Sequence, residues 1–103
     1  MRAVLLLEEA VLEGEEAAGW YEAQREGLGR EFREAFSRSL EMLREGLLTG
    51  SPWPGPLGKR RVRRIQMGRF PYHVVFVVGQ LNVTVLAVSH QRRRPGYWRN
   101  RMK

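Results

Sequence analysis

Through the middle of the chain apolar residues return in steps of three and four. Phe32, Ala35, Phe36, Leu40, Leu43 and Leu47 share one stripe, with Ser39 its polar member, the pattern of a helix that buries one face and wets the other. Upstream, Glu8, Glu9, Glu13, Glu15 and Glu16 crowd the front of an Ala- and Glu-rich stretch, where acids complement the positive end of a helix dipole. Ala10, Ala17, Trp20, Tyr21 and Leu28 fall close to one face, so a first helix is predicted from Glu8 to about Glu26. Gly27-Leu28-Gly29 breaks it, and so short a break folds the two helices into an antiparallel hairpin.

The remaining apolar runs have strand length. Arg2 to Leu7 is too short for a core helix and reads as a buried strand. Tyr72 to Val78 and Val83 to Ser89 are β-branched and aromatic, and Gly79-Gln80-Leu81-Asn82 between them supplies a hairpin turn. Lys59 to Met67 is a further strand candidate in which Val62, Ile65 and Met67 do not alternate cleanly. Its arginines Arg60, Arg61, Arg63 and Arg64 require at least one face to meet solvent or an anion. Gly50 to Gly58 holds three prolines and three glycines and is expected to be a crossing loop, neither helix nor central strand, with Trp53 covering one end of the core. The order β-α-α-β-β-β describes an α+β domain. Its helical hairpin should lie on one face of a mostly antiparallel four-stranded sheet.

At 103 residues the chain makes one domain with one core. Residues 1–50 carry six Arg and eleven Glu, a net of −5, whereas residues 51–103 carry twelve Lys and Arg and no acid, +12. A half so charged repels itself unless an anion is near, which points to nucleic acid or an acidic protein segment as partner. An anionic membrane fits less well, because the basic half reads as strands and not as an amphipathic helix. Without cysteine and with two histidines there is no thiolate nucleophile, disulfide framework or evident metal site. Gly58-Lys59 lacks the flanking residues of a phosphate-binding loop, so no cofactor is expected. Ala3 to Leu7 is shorter than a signal-peptide core and no run approaches the ~18 residues of a membrane span. A cytoplasmic protein is the expectation.

Three segments carry a resemblance to a known group: EEAAGWYEAQREGL at Glu15 to Leu28, VRRIQMGRFPY at Val62 to Tyr72, and VLAVSHQRRRPGYW at Val85 to Trp98. Spread over nearly the whole length and in the same order, they resemble toxins of the RelE/ParE superfamily of bacterial type II toxin-antitoxin systems, also called plasmid stabilisation proteins. The resemblance implies the fold outlined above and a growth-inhibiting toxin neutralised by a cognate acidic antitoxin, as a homodimer or as a heterotetramer with it. The WYEAQREGLG helix and the RFPY strand are more similar to the ParE-like branch, whose members inhibit DNA gyrase. The RelE-like alternative cuts messenger RNA on the ribosome, and a non-toxic nucleic-acid-binding module is a third reading from charge alone.

The candidate chemistry leaves one strand end together. RNA cleavage through the 2′-hydroxyl needs a base, cations around the phosphorane and an acid for the leaving oxygen. His90 is the candidate proton carrier, since an ordinary imidazole titrates near about 6.5. Arg69 and the block Arg92, Arg93 and Arg94 could hold phosphate, and Tyr97 could move a second proton. Against this, His90 could equally tie the tail to the sheet, His73 reads as a half-buried packing residue, and lysines of the kind RelE-like sites use are scarce here. In the binding alternative the working face comprises Arg61, Arg63, Arg64, Arg92, Arg93 and Arg94, with Trp98 as a stacking platform.

Overall fold

The computed structural model describes residues 2–46 and 50–102. Strand β1 is Ala3–Leu6, helices α1 and α2 are Glu8–Gln24 and Leu28–Glu45, β2 is Ser51–Pro52 and α3 is Pro56–Lys59. Strands β3, β4 and β5 follow at Val62–Gln66, Tyr72–Val78 and Asn82–His90, and a single 3-10 turn, Arg99–Arg101, ends the chain. The sheet order is β1-β5-β4-β3-β2. Only the β1–β5 pair is parallel, in register Ala3↔Asn82; the other pairs are antiparallel. None of the described helices is long and apolar enough to cross a membrane.

The sheet therefore has five strands and not the four expected. The extra one is the two-residue β2, pairing Ser51 with Arg64 and Pro52 with Arg63. Proline is tolerated there because an edge strand can spare its missing N–H. The expected crossing loop also holds the one-turn α3, whose first position is Pro56, where a fixed φ and a missing donor cost nothing.

Helix α2 buries Phe32, Ser39 and Leu43, with Ala35, Phe36 and Leu40 packed at the margin of the same core. Ser39 satisfies its hydroxyl by donating to the Ala35 carbonyl at 3.1 Å. Leu47, the last member of the stripe, lies outside the described residues. Helix α1 meets the core through small residues, Ala10, Gly14, Ala17 and Ala18, so the two helices approach closely. Gly29, expected as part of the break, lies within α2, and a Cβ on it would stand 2.6 Å from the Ala18 carbonyl oxygen. The turn itself is made by Gly27 at φ +87°, which a side chain rarely adopts. Trp20, expected on the buried face, is 58% exposed: the small residues set the face of closest approach, and Trp20 sits on its flank.

Two apolar layers cover the sheet. On the helix side Phe32 meets Tyr21, Phe70 and Tyr72 with ring centroids 5.1–5.4 Å apart, so Phe70 is core and Tyr72 packs half-buried against it. On the far side Val62, Val75, Leu86, Ala87 and Trp98 form a second cluster, with Trp53 and Leu57 at its margin. That second layer explains the irregular β3: Val62 faces it, while Ile65 and Met67 face the helices. A bulge at Leu86, between the pairs Val75↔Ala87 and Phe76↔Val85, turns Leu86 and Ala87 together into the far cluster.

Phe32→Ala should destabilise the domain by about 3–5 kcal/mol, whereas Leu40→Ala, at the half-covered margin, should cost clearly less. Denaturant unfolding of both variants checks this ranking; equal losses would contradict it.

Candidate functional site

Strand β1 is too short to cover its neighbour. It stops at Leu6, and the Leu7 N–H makes the last bond across, to the Val85 carbonyl at 3.1 Å. From Leu86 to His90 that edge of β5 has no partner strand, and side chains take the place of one. The Val88 N–H donates to Glu13 Oε1 of α1 at 3.0 Å, and Arg101 donates to the Leu86 carbonyl at 2.9 Å. The same guanidinium grips Glu13 in bidentate fashion, at 2.9 Å to Oε1 and 3.0 Å to Oε2. Tyr97 donates its hydroxyl to Glu13 Oε2 at 2.6 Å, and Arg93 reaches the same oxygen at 3.5 Å. The Glu13 and Arg101 side chains are 12% and 15% exposed, so one shielded carboxylate gathers the edge of the sheet and three residues of the tail.

This cluster fixes the segment after β5. The Gln91 N–H donates to the Pro71 carbonyl at 2.9 Å, the Arg93 N–H to the His90 carbonyl at 3.0 Å, and the Arg92 N–H to His90 Nδ1 at 3.0 Å. Gly96 then turns the chain at φ +77°, and Trp98 drops fully buried into the far-side cluster, edge-on to Trp53 with centroids 4.9 Å apart. Among the described residues its buried indole N–H finds no hydrogen-bond partner. The Arg93 guanidinium lies 3.7 Å over the Tyr97 ring. The Tyr97 hydroxyl is pushed up to about 12, by burial first and then by its bond to Glu13, and the carboxylate in turn raises Arg101.

The expected site residues are not gathered in one place. His90 stands at the end of β5, its ring edge-on to Tyr72 at 5.0 Å. Arg69, in the turn after β3, is ion-paired with Glu31 of α2 and lies over the Phe70 ring at 5.2 Å. It lines a hollow with Glu31, Glu34 and Arg38, whereas His90 lines others. The Arg69 hydrogen bond holds the Glu31 carboxyl below the usual carboxylate range. Tyr97 is tied to Glu13, and Trp98, expected as an exposed stacking platform, is core. The arginines of β3, and Arg61 just before it, divide between the faces. Arg61, at φ 66°, and Arg63, bonded to the Gly50 carbonyl at 2.7 Å, line one hollow with Arg2. Arg64 lies instead over Trp53 at 5.0 Å. His73 is half-buried, and burial lowers its pKa, with Arg64 adding to the effect. Arg92 and Arg94 are exposed, and among the described residues their side chains make no hydrogen bond, ion pair or ring contact. No cluster of three or more potential ligands is placed to hold a metal ion among the described residues.

Sequence reasoning missed Glu13 and Arg101. Glu13 reads as one of five acids serving the helix dipole, and nothing in its spacing sets it apart. The available signal was the acid-free second half: any shielded cation there must borrow its carboxylate from the first half. Glu13 is the lender for Arg101, and Glu31 pairs with Arg69 at the surface.

The family model described as the ParE toxin of the type II toxin-antitoxin system parDE matches residues 4–95. Among solved structures, the chain is similar to one titled as a chromosomal ParDE toxin-antitoxin system from P. aeruginosa. The identity is 15%, with a TM-score of 0.73 over 87% of this chain and 96% of the other. No curated protein matches the sequence.

Because Tyr97 is raised in the folded state from the ordinary 10.0 to about 12, its contribution to stability is complete below pH ~10 and is lost as pH rises from there through ~12. Stability measured across that window should fall more steeply in the wild type than in Tyr97→Phe, and ultraviolet titration should show the phase near 12 vanish in the variant. A phenol titrating at its ordinary value would contradict the geometry.

Proposed function

The chain belongs to the ParE toxin family of type II toxin-antitoxin systems, and on that premise we propose that it inhibits growth by binding its target, DNA gyrase, through the arginine block of the tail, and that a cognate antitoxin neutralises it. The observation that carries this reading is the contrast within the tail. Tyr97, Trp98 and Arg101 are consumed in anchoring it, while Arg92 and Arg94 project from it uncommitted. Fixed cations on an anchored segment suit charge recognition, which sets association rate and register. Cleavage would draw on a proton carrier and a phosphate ligand that are otherwise engaged. The Tyr97 proton is held by a carboxylate, and Arg69 is paired at a separate hollow. One observation favours a ribosome-dependent nuclease instead: His90 and Arg93 line the same hollow, as a proton carrier and a phosphate ligand would.

One set of variants separates the readings. Arg92→Ala with Arg94→Ala should keep the fold, weaken inhibition of gyrase supercoiling by about tenfold or more, and flatten its salt dependence. His90→Gln should inhibit like the wild type. Messenger-RNA cleavage by the wild type on ribosomes that is lost in His90→Gln would overturn the binding mechanism, and a wild type without effect on supercoiling would overturn the gyrase target.

A further inference from the structure

Trp20 is 58% exposed, unusual for the side chain with the largest apolar surface to hide. Its ring meets Tyr21 edge-on at 5.1 Å, and on its two sides the surface is hollow. One hollow, of about 410 Å³, is lined by Tyr21, Pro71, Tyr72 and His90. The other, of about 260 Å³, is lined by Ala17, Val88, Glu13, Glu16 and Arg93. Trp20, Tyr72 and His90 wall both, so the two form one groove along the seam between α1 and the β4–β5 end of the sheet.

The groove has a distinct chemistry. Around Trp20 its walls are aromatic and aliphatic, formed by Tyr21, Pro71, Tyr72, Ala17 and Val88, with the charged residues Glu13, Glu16 and Arg93 all in the smaller hollow; that middle suits a large apolar side chain. His90 Nδ1 already accepts the Arg92 N–H, which places the proton of a neutral ring on Nε2 and leaves a donor on the groove wall. The rim toward the tail is basic, with Arg93 lining it and Arg92 and Arg94 adjacent in the chain. Glu16 on the α1 side opposes a run of phosphates. An apolar anchor beside Trp20 whose carboxylates lie on the tail side only, away from Glu13 and Glu16, matches this distribution, whereas a strand with a phosphate at every step would bring charge against both glutamates.

We propose that this groove docks a large apolar side chain of an acidic antitoxin segment, with its carboxylates on Arg92 to Arg94. The inference rests on the toxin reading above and deepens it. A segment seated beside Trp20 crosses the root of the tail and covers the cations assigned to the target, so antitoxin and target exclude each other. Trp20 is the anchor's main contact, of the kind in which an exposed aromatic ring becomes fully covered on association.

The test is the affinity of the full chain for the purified antitoxin of the same system, alongside growth inhibition. Trp20→Ala should lower that affinity by about thirtyfold or more, Trp20→Phe should restore most of it, and both should keep the wild-type melting temperature and growth inhibition. In fluorotryptophan-labelled wild type, the Trp20 resonance should shift on antitoxin binding while that of buried Trp98 stays in place. Antitoxin affinity within threefold of wild type in Trp20→Ala, or an unmoved Trp20 resonance in the complex, would overturn the docking site and leave the toxin reading intact. Loss of growth inhibition with antitoxin affinity kept would overturn it by giving the groove to the target. A single-stranded oligonucleotide whose binding is lost in Trp20→Ala while antitoxin binding is kept would overturn it in favour of nucleic acid. A wild type that binds no antitoxin and does not slow growth would overturn the toxin reading itself.

Discussion

The tail of this domain depends on one carboxylate. Glu13 accepts hydrogen bonds from the Val88 backbone, the Tyr97 hydroxyl and both arms of the Arg101 guanidinium, with Arg93 at its margin. A charge shielded to this degree is tolerated because every lone pair has a donor; removing one partner from a fully buried pair costs about 3–5 kcal/mol, and less where the rim still meets water. The need arises from the sheet. A four-residue β1 cannot span a nine-residue β5, and the uncovered backbone groups would be an open strand edge. Glu13 and Arg101 close that edge with side chains, and in doing so fasten the segment from Arg93 to Arg101 to α1.

The same interaction gives meaning to the charge segregation. Acids sit in the helical half and cations in the strand half, and the fold joins them at two points, Glu13 with the tail and Glu31 with Arg69. What those two carboxylates do not neutralise is displayed. The basic surface is thus selected by the fold: Arg101 is spent internally, Arg69 is held in a surface ion pair with Glu31, Arg63 and Arg64 are engaged with the loop and Trp53, and Arg92 and Arg94 remain outward. An anchored display loses less conformational freedom on binding than a free tail would.

The fold was largely legible because its signals are periodic. Phe32 and Leu43 repeat at helical spacing and are buried where the stripe puts them, and the two β-branched runs pair as a hairpin. Other features depend on a third dimension that periodicity lacks. Trp20 falls near the apolar face by spacing, yet the close approach of α1 and α2 at Gly29 places it outside. Val62 breaks the alternation of β3 because a second layer, closed by Trp98, covers the far side of the sheet. In the tail, the sequence pattern points to Tyr97 and Trp98 as working side chains at the surface. Both are drawn inward, Tyr97 by Glu13 and Trp98 by the apolar cluster it joins with Val62, Val75, Leu86 and Ala87. A pairing between residues 13 and 101 leaves no local trace.

Amide hydrogen exchange in Glu13→Gln tests the central claim most directly, since glutamine keeps the shape and removes the charge. If Glu13 fastens the tail to the β5 edge, the amides of Val88, Arg101 and Met102 should exchange about tenfold faster or more, while those of Val74 and Val75 in the middle of the sheet change no more than the global stability does. Tail amides that keep wild-type protection in this variant would contradict the account.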